Sequence, residues 1–463
     1  MKKLCLVGII VLMVVLCSCS STKQLELQGS IREELVAGNY KEGDQLLNEG
    51  VEQYKDLLVY YLDAAWIKYY NEDYEEAIKL FEQAESLIEE RSAKSVSAGI
   101  GTLLLNENAS DYTAESYEDV YCNIGMALCY YKLGNIEDSL VEAKKVNVKL
   151  ADYANNQKAQ VSGFEKFVLA ITDNPFSWTD DAGNAGAFEV PVVEDFSNST
   201  FANYLSMLFY RAEGELDEAV VDQNILSSNL GNMENLVSDE DIYVPEGKAR
   251  VNIISLLGLI PNKKEASVNV WTYNQPYTGK DKNGNDVQYA GSWFYHKVAY
   301  PVIMDESSTI KSVYVECSNG ETARMSILED VGTVAKEALA MNTISNYLRS
   351  YYRGYMKVSP VYIAADMLYQ DAMKTAKSDL ERALYKKVKD KTVEAVNGIE
   401  KANLTMGSFL PGKIFATGMT IDPGVYDFTI KYTLSDGNVI VESFSGVEVA
   451  ENKLNLIVSK CAK

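Results

Sequence analysis

The chain has 463 residues, 47% of which are hydrophobic, and its formal net charge is −23 at pH 7. This length predicts two or three domains, and the hydrophobic fraction excludes a disordered chain because it suffices for sizeable cores. The excess of acidic residues repels nucleic acid and anionic lipid headgroups, and no compact basic patch offsets it. We therefore exclude a nucleic-acid partner and expect any membrane attachment to depend on a lipid.

The first residues have the pattern of a secretory leader. Two lysines precede an apolar run over residues 4–16, which is too short to cross a bilayer, and the string Leu16-Cys17-Ser18-Cys19 follows. The string resembles a bacterial lipoprotein signal. That resemblance implies a signal peptide over residues 1–18, cleavage before Cys19 and acylation of Cys19, with palmitate among the acyl chains. An ordinary signal peptide, or a signal anchor with a chance cysteine, is the alternative.

The residues after the cysteine predict where the protein is held. Residues 19–30 are interpreted as a tether, of which residues 20–29 span at most about 35 Å when extended, so partners are expected close to the anchoring leaflet. Ser20 rather than aspartate follows the cysteine. By analogy with bacterial lipoproteins this favours the outer membrane, with the protein facing the periplasm. No later segment has eighteen uninterrupted apolar residues, so no other membrane span is predicted.

Four cysteines remain after Cys19, and they do not predict a disulfide framework. Cys122 and Cys129 are seven residues apart on a predicted helix, roughly 10 Å along its axis, which is too far for a bridge. They are interpreted as small buried core residues. Cys317 and Cys461 lie in or beside predicted strands, and a disulfide between them is left open.

The first half of the chain predicts an all-α repeat. Tyr40 and Tyr74 begin two similar helical segments 34 residues apart, and 34 residues is the period of tetratricopeptide repeats. Further copies at Gly134 and Gly214 are separated by insertions around residues 95–119 and 173–198. The pattern resembles a degenerate tetratricopeptide-like solenoid over residues 31–235, whose concave groove is expected to hold a peptide or a partner helix.

The second half predicts a β-rich segment (residues 245–330), a helical segment (331–403) and a C-terminal β segment (404–463). Asn-Gly and Asp-Gly turns separate the strands, and Pro360 is expected to interrupt the helical segment. Because four strands are few for an independent sandwich, we expect the last segment to share a core with residues 245–330. Strands are predicted at 249–257, 268–273, 287–289, 294–304, 311–317, 322–328, 413–421, 424–434, 439–449 and 454–460. The fold class is therefore α+β, with a helical solenoid followed by a sandwich-like β region that contains a helical insertion.

Short strings along the mature chain resemble an uncharacterised family of bacterial envelope lipoproteins with N-terminal tetratricopeptide-like repeats. The strings are Asn106-Glu107-Asn108-Ala109, Tyr117-Glu118, Gly258-Leu259-Ile260-Pro261-Asn262-Lys263-Lys264-Glu265, Leu410-Pro411-Gly412-Lys413-Ile414 and Asp422-Pro423-Gly424-Val425-Tyr426-Asp427. Ile260 replaces the family's second glycine. The aspartate, arginine and tryptophan that the family carries just before Leu-Pro are absent from residues 402–409. The resemblance implies no known reaction.

Little in the chain predicts chemistry. His296 is the only histidine, which excludes any site that needs two, and it lies among aromatic residues in a predicted strand, where a packed or rim position is expected. Asp281-Lys282-Asn283-Gly284-Asn285-Asp286 resembles part of a calcium loop but lacks the downstream glutamate, and a hairpin turn explains it without metal. We expect no catalytic residue, no cofactor and no metal site.

These observations favour a lipid-anchored, non-catalytic scaffold or adaptor that binds other envelope proteins through the groove of the helical repeat. The alternative is a glycan-binding lipoprotein of an outer-membrane uptake system, in which Trp178, Trp271 and Trp293 stack on sugar rings. That alternative predicts one exposed aromatic platform, whereas the scaffold predicts tryptophans in separate cores. A hydrolase that uses paired carboxylates is a third class. The sequence does not predict the oligomeric state.

Overall fold

The computed structural model describes residues 19–97, 111–171, 177–179, 185–187, 199–230, 236–281, 283–304, 309–341 and 343–463. The predicted signal peptide and the side chain of Cys19 lie outside the described residues, as does the string at residues 106–109. Within the described residues the protein has a mixed α+β fold, in which helices of the N-terminal half precede a β-rich half.

Eight α-helices occur among the residues described before position 236, and each packs against its neighbour in the sequence. Most turns between paired helices are short, as at Gly214, whose backbone is left-handed (φ 79°) and ends the preceding helix. The helices are α1 Cys19–Ala37, α2 Tyr40–Glu49, α3 Leu57–Tyr70, α4 Tyr74–Ser97, α5 Ser116–Lys132, α6 Ile136–Ile171, α7 Thr200–Glu213 and α8 Leu216–Leu230. Short 3-10 helices lie at Val51–Gln53 and Asp239–Asp241.

The predicted tether at residues 19–30 differs from the structure. These residues belong to α1, and Leu27, Ile31 and Leu35 are buried along one face of it. Their spacing of four residues is typical of an amphipathic helix, and it outweighs the polar composition that made the segment resemble a linker. Within the described residues, the stretch predicted as a tether is therefore helical, and one face of it is buried in the body from Gln24 onward.

Fourteen strands occur within the described residues, and the first two lie in the predicted insertion at residues 173–198. Their bounds are β1 Ser177–Thr179, β2 Ala185–Ala187, β3 Ala249–Leu259, β4 Lys263–Asn274, β5 Tyr277–Lys280, β6 Asp286–Tyr289, β7 Ser292–Ile303, β8 Ile310–Cys317, β9 Thr322–Arg324, β10 Ser326–Asp330, β11 Pro411–Ile421, β12 Gly424–Leu434, β13 Val439–Val449 and β14 Asn455–Cys461. Every predicted strand coincides with an observed one. The strand predicted at 322–328 is divided into β9 and β10.

Two four-stranded sheets form the centre of the β-rich half. The first has the order β10-β11-β3-β14 and the second the order β13-β12-β8-β9. Only β14 and β3 run parallel in these sheets; the other pairs are antiparallel. Strands after residue 404 thus pair with strands before residue 330, and side chains such as Val251 and Ile430 from the two sheets share one core.

The first sheet is buried on both faces. In β3, Val251 and Ile253 face the second sheet, whereas Ile254 and Leu256 pack into the core of the N-terminal helices. Successive side chains of a strand point to opposite faces, so a strand covered on both sides needs an almost continuous apolar run. The N-terminal helices, the first sheet and the second sheet are therefore three successive layers.

Three helices lie between β10 and β11: α9 Val331–Met341, α10 Thr343–Thr375 and α11 Asp379–Asn397. They cover the β4–β7 ribbon, where α10 packs on β7 and α11 packs on α10. The predicted interruption at Pro360 is wrong, because Pro360 lies inside α10. Pro360 and Met356 are both on the exposed side of the helix, so water can reach the Met356 carbonyl that proline cannot bond.

Candidate functional site

A segment without regular secondary structure crosses the helical half and is the candidate site. We call residues 402–410, which connect α11 to β11, the crossing segment. Met406, Phe409 and Leu410 are buried in the same core as the N-terminal helices. The protein's own chain therefore covers part of the surface of these helices.

Two buried carboxylates of the helical half bind backbone N–H groups of the crossing segment. The Ser408 N–H donates to Asp63 Oδ1 on α3 at 2.6 Å, and the Gly407 N–H donates to Glu118 Oε1 on α5 at 2.7 Å. Hydrogen bonds to an ionised acceptor are among the stronger ones in proteins. Since they join residues about three hundred positions apart, they fix how the C-terminal half sits on the helices.

Other side chains bind carbonyl groups of the same segment and of Ile260, whose N–H donates to the Leu410 carbonyl. Arg32 on α1 donates to the Ser408 carbonyl at 2.7 Å and to the Ile260 carbonyl at 2.8 Å. The Tyr70 hydroxyl on α3 donates to the Phe409 carbonyl at 3.1 Å. Together with the carboxylates, these groups recognise backbone atoms rather than side chains, which is how extended peptides are commonly held.

Asp63 is surrounded by further donors and by apolar packing. Its Oδ2 atom accepts from Gln28 Nε2 at 2.7 Å and from the Tyr54 hydroxyl at 2.8 Å. Burial raises the pKa of Asp63 to about 7, although the bonds from Gln28, Ser408 and Tyr54 oppose the shift. A carboxyl group with this pKa changes charge near neutral pH, so the contact with the crossing segment depends on pH.

Glu118 belongs to the N-terminal cap of α5 as well as to the site. Its Oε2 atom accepts from the Glu115 N–H at 2.8 Å and from the Tyr112 hydroxyl at 2.6 Å. Burial raises the pKa of Glu118, and the nearby charge of Lys263 acts against that rise. The capping pattern explains why a carboxylate stands here, and the crossing segment uses its second oxygen.

Gly407 is the position where the crossing segment comes closest to the helices. A Cβ atom built on Gly407 would lie 3.2 Å from Leu62 Cβ and 3.4 Å from Glu118 Oε1. A Cβ atom at position 407 would press on these neighbours by a few tenths of an ångström, and the Gly407 N–H is the group that Glu118 binds.

The sequence analysis did not predict Asp63, Glu118 or the crossing segment. One feature of the sequence indicates that Asp63 is buried. Asp63 is the only acidic residue in α3, whose other positions are almost all apolar or aromatic. A carboxylate in such a helix is buried and therefore needs partners. The partners themselves are too distant in sequence to be recognised from local patterns.

The predicted cysteine roles are resolved in part. Cys122 and Cys129 are buried free thiols of the helical core, as expected. Cys317 and Cys461 are also free and buried, and both lie in the core between the two sheets, so the disulfide left open is not formed. The lipidation predicted at Cys19 concerns a side chain outside the described residues.

His296 is a packed residue on β7. It is completely buried, and its ring centroid lies 4.8 Å from that of Tyr351 on α10. Neither ring nitrogen has a hydrogen-bond partner among the residues that the structure describes. Burial lowers the pKa of His296 to about 3, so the ring stays neutral over the physiological range.

Two of the three tryptophans of the glycan interpretation lie on the same face of the β4–β7 ribbon. Trp271 pairs with Tyr295, and Trp293 pairs with Tyr273, each across the strands with ring centroids 5.3 Å apart. Trp293 is 61% exposed. The side chain of Trp178 lies outside the described residues.

The turn that resembled a calcium loop uses its own carboxylate. Asp281 Oδ1 accepts from the N–H groups of Asn283 and Asn285 at 2.8 and 2.9 Å. It connects β5 to β6. Among the residues that the structure describes, no group of three or more His, Cys, Asp or Glu is placed to hold a metal ion.

No helix in the described ranges is long and apolar enough to cross a membrane. No family model matches this chain, and no curated protein or solved structure matches it significantly.

Proposed function

We propose that this protein is a lipid-anchored lipoprotein of the bacterial envelope, that it acts as a non-catalytic scaffold that binds other envelope proteins, and that it is held at the outer membrane through Cys19. The observation that supports the proposal is the set of hydrogen bonds that Arg32, Asp63 and Glu118 make with the crossing segment, which we call the clamp. Buried side chains of α1, α3 and α5 bind backbone atoms of an extended stretch of chain. Such a surface suits the recognition of polypeptide segments.

The repeat interpretation of the helical half is part of this proposal. Neighbouring helices pack in sequence order, and small residues lie where they meet, as in tetratricopeptide repeats. Gly125 on α5 is pressed against Phe81 on α4, since a Cβ there would lie 2.4 Å from Phe81 Cζ. The two sheets that share a core support the sandwich-like interpretation of the β region.

The position of α1 suits a protein held directly at a membrane. Gln24 is already buried in the body five residues after Cys19, which corresponds to about 7.5 Å along a helix. An acyl group on Cys19 would therefore fix the body at the bilayer surface, with little freedom to move away. A scaffold that presents partners at one height above a membrane needs this lack of freedom.

Partner binding is proposed to occur at the site that the crossing segment occupies. The buried side chains bind backbone atoms, so another extended segment can donate to the carboxylates and accept from Arg32 and Tyr70 in the same way once it displaces residues 405–410. A disulfide between Cys residues at positions 62 and 407 tests this, because the Cβ separation of 3.2 Å lies just below the usual range for a bridge. The bridge would lock the crossing segment onto α3.

The experiment compares the Leu62→Cys, Gly407→Cys double variant in its oxidised and reduced forms. Each form is crosslinked in native membranes and purified, and the recovered proteins are identified by mass spectrometry. We expect the same few envelope proteins with the wild type and the reduced variant, and their loss on oxidation. Recovery that oxidation leaves unchanged would place the partner surface elsewhere, and recovery of no envelope protein would overturn the scaffold function.

The lipid anchor has its own test. Mass spectrometry of the mature amino terminus is expected to find acyl chains on Cys19, and Cys19→Ser is expected to abolish acylation and the membrane retention that survives a high-salt wash. An unmodified Cys19 in the mature wild-type protein would overturn the anchoring and the localisation together.

A second candidate function is glycan capture, and the aromatic pairs on the β4–β7 ribbon favour it. Trp293 offers an exposed ring beside Tyr273, which is the kind of surface on which sugar rings stack. Calorimetry with oligosaccharides is the test. Trp293→Ala should abolish binding, whereas Tyr314→Ala, which removes an exposed ring from β8, should not. Absence of binding by the wild type would leave the aromatic pairs as stabilisers of the ribbon.

A further inference from the structure

The outer side of α11 carries a row of exposed apolar side chains. Leu380, Leu384 and Val388 are 81%, 57% and 58% exposed. Their spacing of four residues puts them along one side of the helix, within about 80° of each other. The opposite side of α11 is the one that packs, with Val393 and Asn397 buried. These three residues therefore contribute little to the core of the protein.

The hairpin that α11 forms with α10 is basic although the protein as a whole is acidic. Residues 374–391 contain seven lysine or arginine residues against three acidic ones, in a chain with a formal net charge of −23. Lys387 follows Leu384 by three residues, so it flanks the apolar row. Lys386 and Lys387 are exposed and make no ion pair within the described part of the chain. The prediction that no compact basic patch offsets the acidic charge is therefore wrong for this hairpin.

We propose that the exposed side of α11, with Leu380, Leu384 and Val388 at its centre, docks onto a bilayer surface that carries anionic lipid headgroups. An apolar row with lysines beside it is the pattern of helices that lie in a membrane interface, where the apolar side chains insert and the lysines meet the headgroups. The site is separate from the crossing segment and does not depend on the scaffold function or on acylation of Cys19.

Charge and size favour a bilayer over a protein surface. The basic hairpin repels cationic surfaces and is attracted to anionic ones. A narrow row of three side chains is small beside the roughly 800 Å² that each partner buries in a stable protein complex. A fluid bilayer needs no complementary shape, because each side chain inserts independently.

The test uses the chain from residue 20 onward, which has neither the leader nor Cys19 and retains every residue whose side chain is described. Binding is measured by cosedimentation with vesicles of phosphatidylcholine that contain phosphatidylglycerol, and with vesicles of phosphatidylcholine alone. We expect binding to the anionic vesicles, weaker binding to the neutral ones, and a decrease in 0.5 M salt because the headgroup attraction is screened.

Two variants remove the two parts of the surface. Leu380→Gln with Leu384→Gln should reduce binding at least tenfold through lost apolar burial. Lys387→Gln should reduce binding to anionic vesicles about fivefold, which is the contribution of one basic residue near the headgroups. The matched control is Val425→Gln with Lys453→Gln, which makes the same kinds of change at exposed positions of the second sheet and its following turn. The control should bind as the wild type does.

Thermal unfolding checks that all variants fold, and light scattering gives their molar mass. The proposal is overturned if the wild type does not bind anionic vesicles, or if both α11 variants bind as tightly as the control. It is also overturned if the leucine variant turns a dimer into a monomer while vesicle binding is unchanged, because the row would then contact a second copy.

Discussion

The N-terminal helices bury their large apolar side chains, whereas the α10–α11 hairpin leaves several of them exposed. On α3, α4 and α5, large side chains such as Trp66, Phe81 and Tyr121 are completely buried against neighbouring helices, the first sheet and the crossing segment. On α11, Leu380 and Leu384 face solvent. The first arrangement explains the stability of the fold. The second leaves apolar side chains that the fold does not use, which is why we assign them to an external surface.

The N-terminal helices and the β4–β7 ribbon also differ in how they bury titratable groups. Asp63 has a hydrogen-bond donor for both carboxylate oxygens, whereas both nitrogens of His296 lack a partner. Burial raises the pKa of Asp63 and lowers that of His296. Acid therefore has opposite effects on the two regions, since it favours folding at the first and unfolding at the second.

The largest predicted effect comes from breaking the packing of the crossing segment. Phe409→Ala should lower the free energy of unfolding by about 3 to 5 kcal/mol, because a buried aromatic ring is replaced by a cavity. Urea unfolding followed by circular dichroism measures the change. A loss below about 1 kcal/mol would mean that the segment is not part of the core.

The second prediction concerns the pH dependence at Asp63. Its pKa is raised from 3.8 to about 7 in the folded protein. The folded state therefore binds more protons than the unfolded state between these values, and stability falls as pH rises from about 4 to 7. Asp63 should account for up to about 4 kcal/mol of that fall.

Asp63→Asn removes this titration. Urea titration from pH 4.5 to 8 measures the free energy of unfolding of the wild type and of Asp63→Asn. As the pH falls, the wild type should gain stability relative to Asp63→Asn. As the pH rises, the two stability curves should converge or cross. Parallel curves for the two proteins would contradict a raised pKa.

The third prediction concerns His296 and has the opposite sign. Its folded pKa of about 3 lies below the value of 6.5 for an exposed histidine. The unfolded state binds the extra proton, so the wild type should lose about 1.4 kcal/mol for each pH unit below 6.5. His296→Phe should remove this slope and add about 1 to 3 kcal/mol at pH 7, because no polar atom is then buried without a partner.

Chemical unfolding of both proteins at pH 5 and pH 7 measures the slope and the gain. Tyr351→Phe, which keeps the ring that packs on the histidine, serves as a control for changes in aromatic packing. A His296→Phe variant that is less stable than the wild type at pH 7 would show that the imidazole has a partner in solution.

The smallest predicted effect is on α11. Leu384→Ala should change the free energy of unfolding by less than about 0.5 kcal/mol, because the side chain is largely exposed and alanine is a good helix former. The difference between Leu384→Ala and Phe409→Ala in the same assay shows how much more a buried apolar side chain contributes to the free energy of unfolding than an exposed one. A loss comparable to that of Phe409→Ala would remove the basis for a docking surface on α11.

Local patterns predicted the regular elements well. The strands at Gly424–Leu434 and Val439–Val449 were predicted with their observed bounds, because alternating side chains and the turns that flank them are encoded by adjacent residues. The same kind of reasoning explains the correct separation into a helical half and a β-rich half. It also placed Cys122 and Cys129 in a core.

The candidate site depended on contacts that no local pattern contains. Asp63 and Ser408 are 345 residues apart and meet only because α3 and the crossing segment pack together. Pro360 continues a helix because its side faces solvent, and residues 19–30 are helical because the body provides an apolar surface for α1. Periodicity along the chain specifies which segments become helices and strands, whereas packing between distant segments decides which side chains are buried, which carboxylates find donors and which apolar residues stay exposed.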